Sequence, residues 1–367
     1  MSVNLKRGDI QGLRALSVLL VIFYHSPFLP ALGGDIGVDI FFVISGFVIT
    51  QLILRTKDAP VRTNLLNFYA NRVRRIIPAA TLVLLVTLVA SFYFLGAFSS
   101  FSLLDDARWA SLFSANLRFW NNGTDYFAAS SPSLILHYWS LGIEEQFYFI
   151  YPFIAFTVLA FFGIKAKRVL LAILVVAIAL SMALAFTSEA TEPVLVFFSP
   201  QTRFWQLAAG AVIALAPLAL TKLGNAIKIT SGWFALAVLV WLGVFDLGER
   251  IGDSLTRLVA TIAIAWLLNL GGDTNYASKS FTANNLLAIK PLVFIGNMSY
   301  SLYLWHFIWF ELPRVYTLDQ IDAGLFALLI LGIAASSLMS YYLVENTIRH
   351  SKFLKSRPWV SLAIAPV

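Results

Sequence analysis

Long apolar runs dominate this chain, and short segments holding most of the charged residues separate them. A helix rises about 1.5 Å per residue, so about 20 apolar residues cross the hydrocarbon core of a bilayer. The pattern therefore predicts an all-α, polytopic membrane protein with about ten transmembrane helices. The predicted spans are 12–31, 36–54, 76–97, 139–162, 169–187, 202–219, 231–248, 254–270, 290–311 and 323–345.

Two segments between or after these spans carry predictions of their own. The long connection 98–138 contains WASLFSANLRFW, which is typical of a short interfacial or re-entrant helix. After the basic run RHSKFLKSR the chain ends on PWVSLAIAPV, which indicates the start of an eleventh helix. We therefore expect residues 1–357 to form one transmembrane domain. Residues 358–367 would begin a truncated helix that leads to a periplasmic domain absent from this sequence.

Composition supports the membrane assignment and excludes several kinds of site. The chain is 59% hydrophobic and 12% charged, about half the charged fraction of a soluble protein. Cysteine is absent, which excludes disulfides, thiolate metal sites and a cysteinyl acyl intermediate. The four histidines lie far apart in sequence, so we expect no metal site.

The net charge of +7 is distributed as an orientation signal. Cytoplasmic loops of membrane proteins are enriched in lysine and arginine. With the N-terminus in the cytoplasm, every lysine and most arginines fall on the cytoplasmic side, which explains the charge without a nucleic-acid partner. The opposite side holds only arginines: Arg108, Arg118, Arg203, Arg250, Arg257 and Arg314.

The first two predicted helices carry three polar residues inside apolar sequence. Arg14 and His25 are 11 residues apart, about three helical turns, which places them on one face and about 16 Å apart along the axis. The return helix brings Asp39 back to about the depth of His25. Ionisable residues within a membrane are costly and usually functional. The alternative is that Arg14 and Asp39 reach opposite membrane surfaces and His25 only packs.

The segment NFYANRVRRIIP before the third span predicts an anion site. Arg72 and Arg75 are neighbours on a helix surface, while Arg74 points elsewhere. Forked guanidinium groups suit phosphate, although anchoring at the cytoplasmic surface is an equal alternative. With Arg14 on the same predicted side, the three arginines favour a phosphorylated ligand with a long arm, such as the pantetheine arm of coenzyme A.

The block HYWSLGIEEQFYFIYP enters the fourth span. Glu144 and Glu145 diverge by about 100° on a helix, so one of them faces the interior. That carboxylate could hydrogen-bond an acceptor sugar, hold an arginine or orient a histidine. His137 is a candidate for a direct role. The aromatic residues of the block fit an interfacial belt: Trp139, Phe147, Tyr148 and Tyr151.

The block NMSYSLYLWHFIWF places three further candidates on one helix face, Tyr300, Tyr303 and His306. They either line a cavity or pack as aromatic side chains do more commonly. Glu345, near the end of the tenth span, is interpreted as a helix-end partner for a basic residue.

Five ordered blocks, LRALSVLLVIFYH, GVDIFFVISGF, RVRRIIP, HYWSLGIEEQFYFIYP and SYSLYLWH, resemble the acyltransferase-3 family of bacterial integral-membrane acyltransferases. The resemblance covers essentially the whole chain. It implies an enzyme of the bacterial inner membrane that transfers an acetyl group from cytoplasmic acyl-CoA to a carbohydrate hydroxyl. The acceptors of the family include lipopolysaccharide O-antigen, peptidoglycan and other surface glycans. The expected acceptor is therefore a periplasmic or cell-surface carbohydrate, such as lipopolysaccharide O-antigen. We also expect no permanently bound cofactor, with acetyl-CoA or another acyl-CoA as donor substrate.

The resemblance also implies roles for individual residues. His25 matches the essential histidine, and Arg14 with the Arg72/Arg75 pair matches the arginines that bind acyl-CoA. Asp39 and Glu145 match acidic catalytic positions. The acceptor-side candidates are His137, Trp139, Glu144, Tyr300, Tyr303 and His306. The C-terminal PWVSLAIAPV resembles a subgroup with a periplasmic SGNH esterase-like domain, which would be the absent partner.

We expect His25 to act as general base on the acceptor hydroxyl, with Asp39 orienting its imidazole. An acyl-histidine intermediate is the competing mechanism. The alternative function is a transporter or flippase for a glycan or lipid-linked precursor, although the internal repeat typical of transporters is not found. A receptor or scaffold would leave Arg14 and Asp39 unexplained. Acyl-CoA binding separates the enzyme from the flippase.

Overall fold

The computed structural model describes residues 7–28, 32–56, 59–124, 126, 133–248, 252–279, 281–317 and 320–364, with the backbone alone for 97–100. Within these ranges the regular structure is helical, which confirms the all-α class. Residues 29–31 of the first predicted span, Arg250 and residues 365–367 of the predicted eleventh helix lie outside the described residues.

A 3₁₀ turn, Gly163–Lys165, and a π-helical turn, Ser340–Glu345, complete the helical structure. The α-helices are α1 (Gly8–Tyr24), α2 (Ile36–Thr56), α3 (Val61–Ser111), α4 (Ala115–Asn121), α5 (Tyr138–Phe162), α6 (Ala166–Ser188), α7 (Pro193–Phe198), α8 (Pro200–Leu215), α9 (Asn225–Val244), α10 (Asp253–Leu270), α11 (Thr274–Ala277), α12 (Ala283–Leu287), α13 (Lys290–Asn297), α14 (Ser299–Thr317), α15 (Ala323–Met339), α16 (Asn346–His350), α17 (Lys352–Lys355) and α18 (Pro358–Leu362).

Six helical stretches of the described chain are long and apolar enough to cross a membrane. The chain is therefore a multi-pass membrane protein. The count of ten spans, the cytoplasmic N-terminus and the eleventh helix stay predictions. The six stretches are Ile36–Thr56, Val61–Gly96, Tyr138–Ser188, Asn225–Val244, Asp253–Leu270 and Ala323–Lys355.

Several element boundaries differ from the sequence-based expectation, and two of the differences have a local cause. Helix α1 ends at Tyr24. Pro27 lies three residues beyond this end. Because a proline disfavours helical backbone in the residue before it, Ser26 does not continue the helix. The predicted helix over WASLFSANLRFW is instead interrupted between α3 and α4, where Phe113 has a φ of 52°. The Phe113 carbonyl accepts a hydrogen bond of 2.9 Å from Gln146 Nε2, which stabilises the interruption.

The first of two compact units comprises Met1–Gln51, Leu171–Glu189 and Phe204–Ser299. Its core is aliphatic and draws on α1, α2, α9 and α10. Among the fully buried residues at its centre are Leu13, Ile40, Val43, Leu239 and Ile264.

Helices α2 and α8 approach closely within this unit because glycines face each other's backbone. A Cβ atom on Gly46 would collide with the Leu207 carbonyl, and one on Gly210 would collide with the Val43 carbonyl. Small residues at helix crossings are typical of membrane proteins, since they let two backbones pack directly. This crossing positions the segment of α8 around Gln206, which contacts Asp39 in the first turn of α2.

Gly46→Ala is expected to destabilise the protein by about 3 kcal/mol, since overpacking here strikes backbone rather than a movable side chain. The measurement is thermal unfolding of the purified protein in detergent. Gly224→Ala is the matched control, because a Cβ atom there meets open space. An equal unfolding temperature for both variants would contradict the close crossing.

The second unit comprises Leu52–Leu170, Ala190–Arg203 and Tyr300–Val367. Helix α3 packs against α5, the π-helical turn and α18. Arg74 on α3 holds the C-terminal segment, because its Nη1 donates to the Leu354 carbonyl at 3.1 Å and to Ser361 Oγ at 2.7 Å.

Arg74→Ala is expected to lower the protection of the segment around α17 and α18 against hydrogen exchange by about 2 kcal/mol, the usual contribution of hydrogen bonds from a charged group. Exchange measured by mass spectrometry tests this directly. Lys355→Ala removes a cation that is exposed in the same segment, and it should leave the protection unchanged.

Candidate active site

His25 closes α1 and is held by the helix it ends. Its side chain is buried, and Nδ1 lies 2.9 Å from the Val21 carbonyl oxygen. A carbonyl oxygen only accepts, so Nδ1 carries the proton of this hydrogen bond. In the neutral imidazole, Nε2 then keeps its lone pair. The backbone therefore selects the tautomer in which Nε2 can accept a proton.

Asp39 lies in the first turn of α2 and is almost fully buried, with 1% of its surface exposed. Gln206 Nε2 on α8 donates a hydrogen bond to Asp39 Oδ1. Ser17 Oγ donates to the Gly37 carbonyl and so ties α1 to the same end of α2. Gln206 was not predicted. The available signal was a single amide side chain in the apolar sequence FWQLAAGA.

Arg14 is on α1 with His25, as predicted, and the helix is continuous between Arg14 and Tyr24. The separation of about 16 Å along the axis therefore holds. Arg14 is partly buried, and its Nη1 lies 3.4 Å from Gln11 Oε1 one turn earlier.

Arg72 and Glu145 form an ion pair in the second unit. Arg72 Nη2 lies 3.1 Å from Glu145 Oε1, and both side chains are largely buried, at 10% and 15% exposed. The Arg72 guanidinium stacks on the Tyr148 ring at 3.7 Å, and the Tyr148 hydroxyl donates to Glu144. The sequence left three roles open for this carboxylate: binding an acceptor sugar, holding an arginine or orienting a histidine. In the structure Glu145 holds an arginine.

This arrangement changes the chemical character of the predicted phosphate site. Arg72 already has a carboxylate at one edge and a phenol ring against its face. Arg75, one turn along α3, is half-buried and interacts electrostatically with Glu145. A phosphate that reaches this site meets arginines whose charge Glu145 partly offsets.

The interfacial belt predicted for the aromatic residues of α5 is wrong. Between 1% and 5% of the surface of each is exposed, because α5 packs on α3, α4 and α7 within its unit. Trp139 lies against Phe197 with ring centres 4.5 Å apart, and the Arg203 guanidinium lies 5.4 Å from the Trp139 ring. The buried residues are Trp139, Phe147, Tyr148 and Tyr151.

The tyrosines and histidine on α14 are brought together with His137, and the contacts favour packing over a cavity lining. The Tyr303 hydroxyl donates to the His137 carbonyl at 2.8 Å, and the Tyr300 hydroxyl donates to the Ile76 carbonyl at 2.8 Å. His306 Nδ1 lies 2.6 Å from the Tyr303 carbonyl. The His137 and His306 rings are 5.8 Å apart.

Three further charged residues are buried in the structure. Arg203 was assigned to the outer end of the predicted span 202–219, and only 2% of its surface is exposed. Lys228 was placed in an inner loop, yet 3% of it is exposed and it pairs with Asp273. Glu345 lies in the π-helical turn and accepts a hydrogen bond of 3.1 Å from Ser301 Oγ on α14.

The predicted site residues thus fall into two groups, one in each compact unit. The first unit holds Arg14, His25 and Asp39. The second unit holds Arg72, Arg75, His137, Trp139, Glu144, Glu145, Tyr300, Tyr303 and His306.

Residues 7–345 match the sequence profile of the family described as Acyl_transf_3, acyltransferase domain. The chain belongs to the acyltransferase-3 family. It is 31% identical over 362 residues to the peptidoglycan O-acetyltransferase OatA of Listeria monocytogenes, covering 94% of this chain and 56% of that protein. It is 30% identical over 361 residues to the O-acetyltransferase OatA of Staphylococcus aureus, covering 94% and 57%.

This acyltransferase-3 chain spans a little over half the length of the curated relatives it matches. No solved structure matches it.

Proposed function

We propose that this acyltransferase-3 chain catalyses O-acetyl transfer from cytoplasmic acyl-CoA to a hydroxyl of a surface carbohydrate, in the bacterial inner membrane. One observation carries the proposal: the Val21 carbonyl fixes the imidazole of His25 with Nε2 as the proton acceptor. The names of the two OatA relatives support the reaction class.

In the proposed reaction, His25 Nε2 takes the proton of the acceptor hydroxyl as its oxygen attacks the thioester carbonyl. The tetrahedral intermediate collapses, the C–S bond breaks, and the imidazolium returns the proton to the departing CoA thiolate. We propose that Asp39, which is buried in the same unit as His25, stabilises the imidazolium by its charge. The acyl-histidine route would instead leave a labelled protein when acetyl-CoA is supplied without acceptor.

For the donor, we propose that Arg14, Arg72 and Arg75 bind the phosphate groups of acyl-CoA. Glu145 would then have a positioning role, since it holds the Arg72 guanidinium in a fixed orientation. Bidentate guanidinium groups are well suited to phosphate, and fixing one before binding reduces the entropy lost on binding.

For the acceptor, the peptidoglycan named for the Listeria relative makes a peptidoglycan glycan the first choice. Lipopolysaccharide O-antigen, the example that the family resemblance offered, is the second. The acceptor-side candidates on α5 and α14 and the periplasmic SGNH-like domain remain proposals.

The test supplies radiolabelled acetyl-CoA and either peptidoglycan glycan chains or O-antigen to the purified protein, and it measures labelled ester. Hydroxylamine-labile label on either glycan supports O-acetyl transfer and identifies the acceptor. A flippase would give no ester and would instead move labelled precursor across vesicles. That pattern would overturn the proposal.

A further inference from the structure

A cavity of about 850 Å³ lies within the first unit, and none of the predicted site residues lines it. Its size is that of a pocket for a nucleotide or another small molecule. The walls come from the start of α1, from α2, from the loop after α8, from α9 and from the segment after α10. Asn225 and Lys279 in these walls are exposed, so the cavity is open to solvent. Its basic residues belong to the predicted cytoplasmic side.

Two cationic side chains in the cavity wall keep hydrogen-bonding capacity. Arg7 uses Nε and Nη2 for Asp9, and Nη2 also for the Leu268 carbonyl. Its Nη1 has no acceptor within the part of the chain that the structure describes. Lys279 likewise has no carboxylate partner among the described residues. Both side chains can therefore receive an anion without breaking an existing ion pair.

The carboxylate in the wall is already fully engaged. Asp273 Oδ2 pairs with Lys228 Nζ at 2.6 Å, and Oδ1 accepts from the backbone of Asn275 at 2.9 Å and of Tyr276 at 3.3 Å. The hydrogen bond from Lys228 lowers the pKa of Asp273, which favours the ionised carboxylate. The negative charge of Asp273 thus faces a buried lysine instead of repelling an anion in the cavity.

Helix α9 adds backbone donors to the same wall. It begins at Asn225, and its N-cap residue, Gly224, has no side chain that could cap the first amide groups. Both residues line the cavity. The first N–H groups of a helix lack partners within the helix and carry a partial positive charge, which favours an anion.

We propose that this cavity binds the adenosine 3′-phosphate at the nucleotide end of acyl-CoA, and that the diphosphate is the part of the donor proposed above for the arginines. The assignment rests on the proposed function for its choice of ligand. Arg14 and His25 are 11 residues apart on one face of α1, and Arg7 is the N-cap residue at the start of the same helix. Arg7 lies about 27 Å from His25 along the axis and Arg14 about 16 Å. An extended donor with its thioester at His25 would carry its nucleotide end beyond Arg14, towards Arg7.

Two variants test the site without threatening the fold. Lys279→Glu reverses an exposed charge, and Asn225→Asp adds a carboxylate to the first turn of α9, where it favours the helix. The protein is placed in phosphatidylcholine nanodiscs and titrated with acetyl-CoA, with adenosine 3′,5′-bisphosphate and with S-acetylpantetheine, which lacks the nucleotide. We expect each variant to weaken the two nucleotide ligands at least tenfold and to leave S-acetylpantetheine unchanged.

Lys167→Glu is the control, because it reverses an exposed charge of the predicted cytoplasmic side outside the cavity. Unchanged nucleotide affinity in both cavity variants, or equal weakening of all three ligands, would overturn the site. If the wild type transfers no acetyl group but binds adenosine bisphosphate in a Lys279-dependent way, the proposed function fails while the site stands. Nucleotide binding that phosphatidylglycerol nanodiscs abolish would assign the cavity to a lipid headgroup and overturn the CoA assignment.

Discussion

His25→Ala is expected to lower the rate of acetyl transfer by about 10³-fold, within the usual contribution of a general base. Binding of acetyl-CoA should change by less than about twofold, since the proposed role of His25 Nε2 is to accept a proton from the acceptor. The measurement is the initial rate of labelled ester formation, together with a titration of acetyl-CoA against the same preparation.

His350→Ala is the matched control, because this histidine is exposed at the end of α16. It should retain the full rate of transfer. A folded His25→Ala protein that acetylates at the wild-type rate would remove the general base from the mechanism. Loss of acetyl-CoA binding in the same variant would make His25 a donor-binding residue instead.

Arg72→Gln is expected to destabilise the protein by about 3 kcal/mol or more, because it leaves the Glu145 carboxylate buried without its cation. Removing both charges in Arg72→Gln/Glu145→Gln should recover most of this loss. Two amides of similar size can hydrogen-bond each other where the ion pair was. Thermal unfolding of both single variants and the double variant gives the coupling energy of the pair.

The double variant also separates the two roles of Arg72. It restores the fold but lacks the guanidinium, so acetyl-CoA affinity should stay at least tenfold below that of wild type if Arg72 binds phosphate. Wild-type affinity in the stable double variant would restrict Arg72 to a structural role. Arg75→Gln serves as the comparison, since it removes the neighbouring charge on α3 and keeps the Arg72–Glu145 contact.

The helical class and the placement of Arg14 and His25 were the features that the sequence predicted well. The apolar runs predicted the helical class, and the 11-residue spacing predicted the positions of Arg14 on α1 and of His25 at its C-terminal end. These inferences depend on local geometry, because the rise and period of a helix relate near neighbours in sequence.

The partners of the polar residues could not be predicted, because they are distant in sequence. Gln206 is 167 residues from Asp39, and Glu145 is 73 residues from Arg72. The sequence indicates that a buried Asp39 needs a hydrogen-bond donor and that a buried Glu145 needs a donor or a cation. Many polar side chains of the chain meet those requirements. The choice is made by tertiary packing, such as the glycine-dependent crossing of α2 and α8.

Charged and aromatic residues near span ends misled the sequence analysis for a related reason. Lysines, arginines and aromatic residues are common at membrane interfaces, so Arg203 and Trp139 fitted that environment by composition. The structure instead buries both side chains beside each other. The guanidinium lies 5.4 Å from the indole ring inside the protein, and no local pattern distinguishes this pair from two interfacial residues.

Binding of acetyl-CoA to the purified wild-type chain tests the central claim most directly. The protein in phosphatidylcholine nanodiscs is titrated with acetyl-CoA by calorimetry, with Arg14→Ala beside it. The account predicts a micromolar dissociation constant for wild type and a weakening of at least tenfold for Arg14→Ala. No binding to folded wild-type protein, together with transport of a lipid-linked glycan, would contradict an acyl-CoA-dependent acyltransferase.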